Sequence, residues 1–412
     1  MKIRPRRQYD AEVTVPGDKS ITHRAVMFNA IAEGEAAVSN ALLGADCLST
    51  VSCMCALGAE AAVEGDVIRV KGAPLHDAAC DCGNSGTTMR LLMGLVAGQK
   101  IGAVLTGDAS LSKRPMERVA KPLRILGADI ETQDGTAPVT VRAAKLVGRE
   151  VDTASPSAQV KSALLLAGLG ADGETFVHES VKTRDHTERM LAAMGADIRV
   201  IGNMVRVKKS RLKSTDVEVP GDISSAAYFM VLGALLGETL CKNVGVNPTR
   251  TGILRAFDQM GVCYSLENER IVCGESVADI RVRKSPLRAI HLTKEIMPSL
   301  IDELPVIAVL CAYAEGESVI SGAEELKIKE SDRIKTTAEM ISGLGGDIIP
   351  RQDGFVIRGR KILPGGTANS YADHRIAMSA AVALAASENG GEIKNAGCVD
   401  ISFPGFFRML GE

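Results

Sequence analysis

The sequence has little net charge and no long apolar run. Its 48 lysine and arginine residues nearly match its 50 aspartate and glutamate residues, and the formal net charge is −2 at pH 7. No overall field therefore favours nucleic acid or an anionic membrane surface. The apolar stretch from Leu304 to Ala314 is well short of the roughly 18 residues that a membrane-spanning helix needs. We expect neither a nucleic-acid partner nor a membrane partner, so any anion site must be a local feature.

Signals for export are also lacking. The basic start MKIRPRRQYD is followed by AEVTVPGDKS, which does not supply the apolar h-region of a secretory signal. The ten cysteines among 412 residues are too sparse for a disulfide scaffold, and a reducing compartment would keep them as thiols. We therefore expect a cytoplasmic protein.

Motifs for metals and nucleotides are missing as well. The pairs Cys53/Cys55 and Cys80/Cys82 have C-x-C spacing and no matching histidine cluster, which disfavours zinc. PGDKS lacks the spacing of a nucleotide phosphate loop, and no G-x-G-x-x-G follows a strand-like segment. The sequence thus predicts no metal and no cofactor. Proton transfer around anionic substrates is chemistry that side chains alone can perform.

What the sequence does contain is an internal repeat. A helix-like segment ends in an apolar residue and glycine and continues into alternating apolar residues, as in ILGADIETQDGTAPVTV and AMGADIRVIGNMVRV. This pattern predicts a helix with a left-handed glycine C-cap, followed by a hairpin. Intervals of 66 to 84 residues indicate repeated supersecondary units. The glycines are Gly58, Gly127, Gly195, Gly261, Gly345 and Gly411.

A second type of helix accompanies each repeat. Segments such as SALLLAGLG and IAMSAAVALAA are apolar nearly all round, which is typical of buried helices. Six such helices divide most simply into two cores of three. We therefore predict an α/β (α+β) fold with two pseudo-symmetric domains. The first spans 17–221, and the second is discontinuous, comprising 1–16 and 222–412 and completed by the N-terminal strand.

Polar clusters mark the starts of the apolar helices. Ser, Thr, Asn and Asp there could be simple N-caps, but caps do not explain cations, which oppose the helix dipole unless an anion is bound. Lys19, Arg24, Arg90, Lys161 and Arg375 lie in such first turns. Converging helix starts of this kind favour binding of phosphates or carboxylates.

Two further segments add charged residues. LTGDASLSKRPM contains Arg114, and ELKIKESDRIKT contains Lys329, Glu330 and Arg333. If KIKESDR opens a surface helix, Lys329 and Arg333 share one face at i and i+4. The alternative is an exposed, charge-paired helix with no role in binding.

Taken together, the motifs resemble 5-enolpyruvylshikimate-3-phosphate (EPSP) synthase. They run in that family's order from end to end: PGDKSITHR, GNSGTTMR, LTGD with KRPM, SAQVKSALLLAGL, TRDHTERM, KESDR and YADHRIAM. The resemblance implies two domains, each of three βαββαβ-like units. It also implies transfer of the enolpyruvyl group of phosphoenolpyruvate to the 5-hydroxyl of shikimate 3-phosphate, with release of phosphate.

The resemblance further implies the residues that bind the two small-molecule substrates. Those for shikimate 3-phosphate are Lys19, Ser20, Arg24, Ser157, Ala158, Gln159, Arg184, Asp302 and Lys329. Those for phosphoenolpyruvate are Lys19, Gly86, Arg114, Gln159, Arg333 and Arg375, with Asn84, Thr87 and Arg90 in support. The resemblance also implies catalytic roles. Asp302 would act as the general base, and Glu330 as the acid that protonates the methylene carbon. Lys19 would share in proton transfer.

The sequence departs from the family pattern in places. VDISFPGFF has no lysine before Phe403 and Pro404, where one branch of the family carries a phosphoenolpyruvate ligand. Ala158 replaces a frequent second serine and leaves only its backbone for phosphate. Gly86 is the small residue associated with sensitivity to glyphosate, so we expect sensitivity.

Two alternatives remain open from sequence. The related UDP-N-acetylglucosamine enolpyruvyl transferase uses a loop cysteine, but the corresponding DASLSKRP contains none. A non-catalytic repeat scaffold would have no use for charged helix starts. We expect the protein to be a monomer.

Overall fold

The computed structural model describes residues 1–153 and 156–412. They form two compact units. The central unit comprises residues 17–219 and 272–275, and the terminal unit comprises residues 1–16, 220–271 and 276–412. Each unit has its own hydrophobic core.

The helices alternate between two kinds along the chain. Their bounds are α1 (Lys19–Ala30), α2 (Ala45–Ala56), α3 (Gly86–Gln99), α4 (Glu117–Ile125), α5 (Ala158–Gly168), α6 (His186–Ala193), α7 (Ile223–Leu236), α8 (Gly252–Met260), α9 (Met297–Leu300), α10 (Leu304–Ala312), α11 (Arg333–Gly343), α12 (His374–Ala386) and α13 (Phe406–Leu410). Helices α1, α3, α5, α7, α10 and α12 are buried nearly all round. No helix of the described ranges combines the length and apolarity that crossing a membrane requires.

The strands are short and form mostly four-stranded sheets. In chain order they are β1 (Lys2–Ile3), β2 (Asp10–Thr14), β3 (Ala32–Glu33), β4 (Glu35–Ser39), β5 (Glu60–Glu64), β6 (Val67–Lys71), β7 (Ala78–Asp81), β8 (Ala103–Thr106), β9 (Asp129–Gln133), β10 (Thr136–Arg142), β11 (Glu150–Asp152), β12 (Glu174–His178), β13 (Ile198–Ile201), β14 (Met204–Lys208), β15 (Leu212–Lys213), β16 (Val217–Glu218), β17 (Glu238–Gly245), β18 (Cys263–Val272), β19 (Glu275–Arg283), β20 (His291–Leu292), β21 (Glu317–Ile320), β22 (Asp347–Arg351), β23 (Gly354–Arg358), β24 (Gly366–Asn369) and β25 (Gly391–Lys394).

Each repeat builds one mixed sheet. The orders in the central unit are β16-β4-β6-β5, β7-β8-β10-β9 and β11-β12-β14-β13, with a small pair β15-β3. Those in the terminal unit are β18-β19-β17-β2, β20-β21-β23-β22 and β1-β25-β24. In β7–α3–β8 and its counterparts, a buried helix connects two parallel strands, the connection that parallel pairing requires. A mixed α/β fold is confirmed.

Two sheets of the terminal unit each include a strand from the N-terminal end of the chain. β1 pairs antiparallel with β25, with Lys2 opposite Glu392. β2 pairs parallel with β17, with Val13 opposite Cys241. The first residues of the chain thus complete sheets whose other strands come much later.

The repeated glycines have the conformation that the sequence predicts. Gly58, Gly127, Gly195, Gly261, Gly345 and Gly411 have φ values of 111°, 94°, 88°, 77°, 83° and 85°. Positive φ is accessible to glycine at little steric cost. It lets each amphipathic helix end and the chain turn into the next element, which for the first five glycines is a hairpin strand.

Candidate active site

The start of α1 presents a lysine beside a carboxylate. Asp18 caps the helix by accepting a hydrogen bond from the backbone N of Ile21 at 2.9 Å. Lys19 follows and forms a salt bridge with Asp46. The lysine side chain keeps 22% of its surface exposed, so its ammonium group is accessible to a ligand.

Arg24 is buried one turn further along α1. Its Nε donates to Thr187 Oγ1 at 2.7 Å, and its Nη2 donates to Ser162 Oγ at 2.8 Å. Burial lowers the pKa of Arg24 to about 10, Glu188 opposes this shift, and the nearby positive charge of Arg184 adds to it. These contacts join α1, α5 and α6. Because Arg24 and Arg184 repel each other, an anion placed there would be stabilised by both.

The starts of α3 and α5 are linked by a hydrogen-bond network. Arg90 Nη1 donates to Gln159 Oε1 at 2.8 Å, and Gln159 Nε2 donates to Thr87 Oγ1 at 3.0 Å. Ser157 caps α5 by accepting from the backbone N of Val160 at 3.4 Å. Ala158 is the first residue of α5.

Gly86 opens α3 against two arginines. A Cβ atom at Gly86 would lie 2.8 Å from Arg90 Nη1 and 3.5 Å from Arg114 Nη1. Arg114 Nη2 donates to Asn84 Oδ1 at 2.7 Å, and Asn84 Nδ2 donates to Asp108 Oδ2 at 2.7 Å. Glycine therefore leaves room beside two guanidinium groups, as a site for a small anion requires.

The interpretation of Lys161 as an anion-binding cation is wrong. Its side chain is fully buried, with Nζ 2.9 Å from Glu179 Oε2 and 2.6 Å from Glu188 Oε1. The positive charge of Lys161 is therefore already paired with two carboxylates of the protein. It is not left for a ligand, as the sequence suggested. Glu179 also accepts from the backbone N of Thr183 at 3.1 Å, so this cluster holds the segment that leads to Arg184.

In the terminal unit, three cations surround Asp302 between α9 and α10. Lys329 Nζ and Arg333 Nη1 each lie 3.6 Å from Asp302 Oδ1, and Arg375 Nη2 lies 4.0 Å from Oδ2. Arg375 Nη1 also donates to the backbone oxygen of Asp302 at 3.1 Å. Three cationic side chains from separate segments thus converge on one carboxylate.

Arg333 is held by acids on its other side. Its Nε donates to Asp373 Oδ2 at 2.8 Å, and its Nη2 donates to Glu330 Oε2 at 2.5 Å. Burial acts to lower the pKa of Arg333, but Asp373 and Glu330 raise it above the ordinary value. The side chains of Glu330 and Lys329 are each 27% exposed, so both can reach a ligand.

The helix expected at KIKESDR begins later than predicted. α11 starts at Arg333, because Asp332 is its N-cap and accepts from the backbone N of Ile334 at 3.1 Å. Lys329 has an extended backbone, so it does not share a helix face with Arg333. The two residues nevertheless meet at Asp302.

Sequence reasoning missed a second polar cluster in the terminal unit. Arg250 Nη2 donates to Asp222 Oδ1 at 3.1 Å and to Ser224 Oγ at 2.9 Å, and Ser224 donates to Glu303. Glu303 is 2% exposed. The available signal in the sequence was the second acid, Glu303, directly after Asp302 in LIDELP. Over residues 1–153 and 156–412, no group of three or more His, Cys, Asp and Glu side chains is arranged to hold a metal ion.

Comparison with known proteins identifies the family. The family model described as EPSP synthase (3-phosphoshikimate 1-carboxyvinyltransferase) matches residues 3–410. The chain belongs to the EPSP synthase family. A 3-phosphoshikimate 1-carboxyvinyltransferase of Desulforudis audaxviator is 50% identical over 421 residues, covering 100% of this chain and 98% of the relative. One from a Thermoanaerobacter species is 47% identical over 418 residues, covering 100% and 99%.

Solved structures show the same fold. EPSP synthase from Acinetobacter baumannii superposes with a TM-score of 0.89 at 43% identity, covering 100% of this chain and 97% of that chain. The resemblance to EPSP synthase is thereby confirmed, and the chain is a transferase of the shikimate route to chorismate and aromatic amino acids. The comparisons do not favour the UDP-N-acetylglucosamine enzyme or a non-catalytic scaffold.

Proposed function

We propose that the charged clusters of the two units bind shikimate 3-phosphate and phosphoenolpyruvate and transfer the enolpyruvyl group between them. The observation that carries this proposal is Asp302 with Lys329, Arg333 and Arg375 within 3.6 to 4.0 Å. A potential base lies there among cations that attract anionic substrates.

The shikimate 3-phosphate ligands are proposed residue by residue. Arg24 and Arg184 supply positive charge for its phosphate, and Ser157 and Ala158 supply the start of α5. The full proposed set is Lys19, Ser20, Arg24, Ser157, Ala158, Gln159 and Arg184 from the central unit, with Asp302 and Lys329 from the terminal unit.

Phosphoenolpyruvate carries a carboxylate and a phosphate, which suits several arginines. We assign to it Lys19, Gly86, Arg114 and Gln159 of the central unit and Arg333 and Arg375 of the terminal unit. Asn84, Thr87 and Arg90 act through the hydrogen bonds that hold Arg114 and Gln159.

The proposed chemistry uses two half-buried acids, Asp302 and Glu330, in different roles. Glu330 protonates the methylene carbon of phosphoenolpyruvate, and Asp302 accepts the proton of the 5-hydroxyl as its oxygen bonds to the resulting cationic carbon. Loss of a methyl proton and of phosphate from the tetrahedral adduct then gives the enol ether. Lys19 shares in proton transfer.

A phosphate-release assay tests this function. Purified protein with both substrates should release inorganic phosphate, whereas UDP-N-acetylglucosamine in place of shikimate 3-phosphate should not. Asp302→Asn and Glu330→Gln should each lower kcat by about 10²- to 10⁴-fold, the usual contribution of a general acid or base. Glu339→Gln, on the exposed side of α11, is the matched control. Full turnover in Asp302→Asn would sink the assignment of the base.

We also propose a cytoplasmic monomer. Ten cysteines among 412 residues are too sparse for a disulfide scaffold, and this composition suits a reducing compartment. Cell fractionation and sedimentation equilibrium test these two points, and a dimer mass at micromolar concentration would overturn the second.

A further inference from the structure

A cavity of about 680 Å³ lies in the terminal unit, away from its acidic and basic cluster at Asp302. It is lined where three buried helices end: by Leu235 and Leu236 of α7, by Tyr313 after α10, and by Ser387 after α12. By contrast, Asp302 lies just before the start of α10, and Arg375 lies in the first turn of α12. The cavity is therefore a separate feature of the same unit.

The repeat brings one basic segment to each helix end. After β1, β19 and β23, a backbone N–H caps a helix: Arg6 donates to Ala385 O at 2.7 Å, Ser285 to Ala234 O at 3.1 Å, and Arg360 to Ala312 O at 2.8 Å. These equivalent segments carry the cations that line the cavity, namely Arg6, Arg7, Lys284 and Lys361. Because backbone groups already satisfy these carbonyls, the basic side chains are not needed as caps.

Three of these cations have no partner. In the described part of the chain, the side chains of Arg7, Lys284 and Lys361 make no hydrogen bond and no salt bridge, and all three residues are exposed. Arg6 differs, because its Nη2 donates to Gly411 O at 2.9 Å and lies 3.2 Å from Glu412 Oε1. Unpaired like charges around one cavity repel one another, and a bound anion would relieve that repulsion.

The charge balance limits the ligand. Arg7, Lys284 and Lys361 face one acid of the lining, Glu388, and three helix C-termini contribute at most about −0.5 each. A modest positive excess remains, which suits one carboxylate rather than a polyanion. The lining also includes Leu235, Leu287 and Ile362. Ile362 is 47% exposed, so the apolar part of a ligand could pack against it.

We propose that this cavity is a binding site for a small organic monocarboxylate with an apolar body. The carboxylate pairs with the unpaired cations at the rim, and the apolar part lies against Leu235, Leu236 and Ile362. This site is independent of the proposed catalytic roles. The competing explanation is that the cations only compensate the helix dipoles.

Isothermal titration calorimetry on the full chain tests the proposal with 3-phenylpropanoate as the probe. We expect a Kd on the order of 1 mM, typical of a ligand of this size. The uncharged 3-phenylpropanamide and the purely polar acetate should each bind at least about tenfold more weakly, because each lacks one of the two contacts. Equal affinity for acid and amide would overturn the proposal, as would heats equal to dilution up to roughly 20 mM probe.

Variants locate the binding. The double variant Arg7→Gln with Lys361→Gln should bind the probe at least about tenfold more weakly, with turnover and Tm unchanged. The control is Lys242→Gln with Lys335→Gln, which makes the same charge change elsewhere in the unit. It should leave the affinity for the probe unchanged. Lys19→Met should abolish turnover and keep probe binding, which separates the cavity from the active site. Unchanged binding in the first pair overturns the proposal and supports simple dipole compensation. If that pair does not fold, Lys284→Gln alone replaces it, with the same expected weakening.

Discussion

At the scale of single residues, Lys161 and Gly86 show how the central unit uses its interior. Lys161 is fully buried against Glu179 and Glu188, and Gly86 leaves space beside Arg90. Burial raises the pKa of Glu188, and Lys161 opposes that shift. Both positions can be tested by exchanging one side chain.

Lys161→Met should destabilise the protein strongly. It leaves two buried carboxylates without their cation, which typically costs about 3–5 kcal/mol. Urea unfolding at neutral pH measures the loss. Lys145→Met is the control, because Lys145 forms an exposed pair with Asp172 at 3.3 Å and should cost at most about 1 kcal/mol. Equal losses in the two variants would contradict the role given to the buried cluster.

Gly86→Ala should weaken binding of phosphoenolpyruvate and of glyphosate. The new Cβ atom would lie 2.8 Å from Arg90 Nη1 and displace the group that donates to Gln159. We expect the KM for phosphoenolpyruvate and the glyphosate inhibition constant to rise at least about tenfold, with a smaller effect on kcat. Gly397→Ala, where nothing lies within 4 Å of the added atom, is the control. Inhibition constants unaffected by Gly86→Ala would refute the expectation of sensitivity.

Sequence could identify the charged residues but not their partners. Arg90 and Lys161 stand at helix starts in the same pattern, yet one donates to Gln159, 69 positions away, and the other is neutralised by acids 18 and 27 positions away. Such pairings depend on how helices pack, which local pattern does not contain. The assignment of individual ligands therefore stays a proposal.

At the scale of elements, helix ends were more predictable than helix starts. Glycine is needed wherever φ is positive, so the six C-caps could be located from the sequence. The start of α11 was placed too early because the signal of Asp332 as an N-cap was outweighed by the charge spacing of KIKESDR. A cap residue was the better guide there.

The start of α12 should make stability depend on pH. Burial lowers the pKa of His374 to about 4, with Glu330 opposing and Arg375 adding to the shift. The unfolded chain binds this proton near pH 6.5 and the folded chain only near pH 4, so stability is full above 6.5 and falls as the pH drops toward 4. The part of the loss between pH 7 and 5 that comes from His374 should be about 2 kcal/mol. His23 is also fully buried, and burial holds its pKa well below the ordinary value, so it adds a further loss of the same sign.

Urea unfolding at both pH values measures this loss. His374→Asn should reduce the difference by about 2 kcal/mol, because asparagine does not titrate, whereas His291→Asn at an exposed position should retain the full difference. The same pH dependence in all three proteins would rule out His374 as its source.

At the scale of the whole molecule, the residues of the central unit interrupt those of the terminal unit along the chain. The buried core of the central unit lies between Ile21 and Val219. The core of the terminal unit includes Ile3, Tyr9, Val13 and Val15 together with residues after 222. One unit is therefore nearly self-contained in sequence, and the other is not.

Fragments should reflect this difference. Residues 17–219 alone should unfold cooperatively, whereas residues 220–412 alone should not, because they lack β1 and β2. Fusing residues 1–16 after Glu412 through a flexible linker should restore the cooperative transition, since Arg6 already bonds to Gly411 O at 2.9 Å. Circular dichroism during heating is the measurement. A sharp transition in 220–412 alone would show that the N-terminal strands are dispensable.

The pairing of β1 with β25 also sets an order of events on the ribosome. At about 5–20 residues per second, residues 391–394 emerge roughly 20–80 s after the first strand. Throughout that interval β1 is an unpaired edge. Charged side chains and proline are known to deter strand addition by other chains, and β1 is followed directly by Arg4, Pro5, Arg6 and Arg7. A segment of this composition disfavours strand addition by other chains while β1 awaits β25.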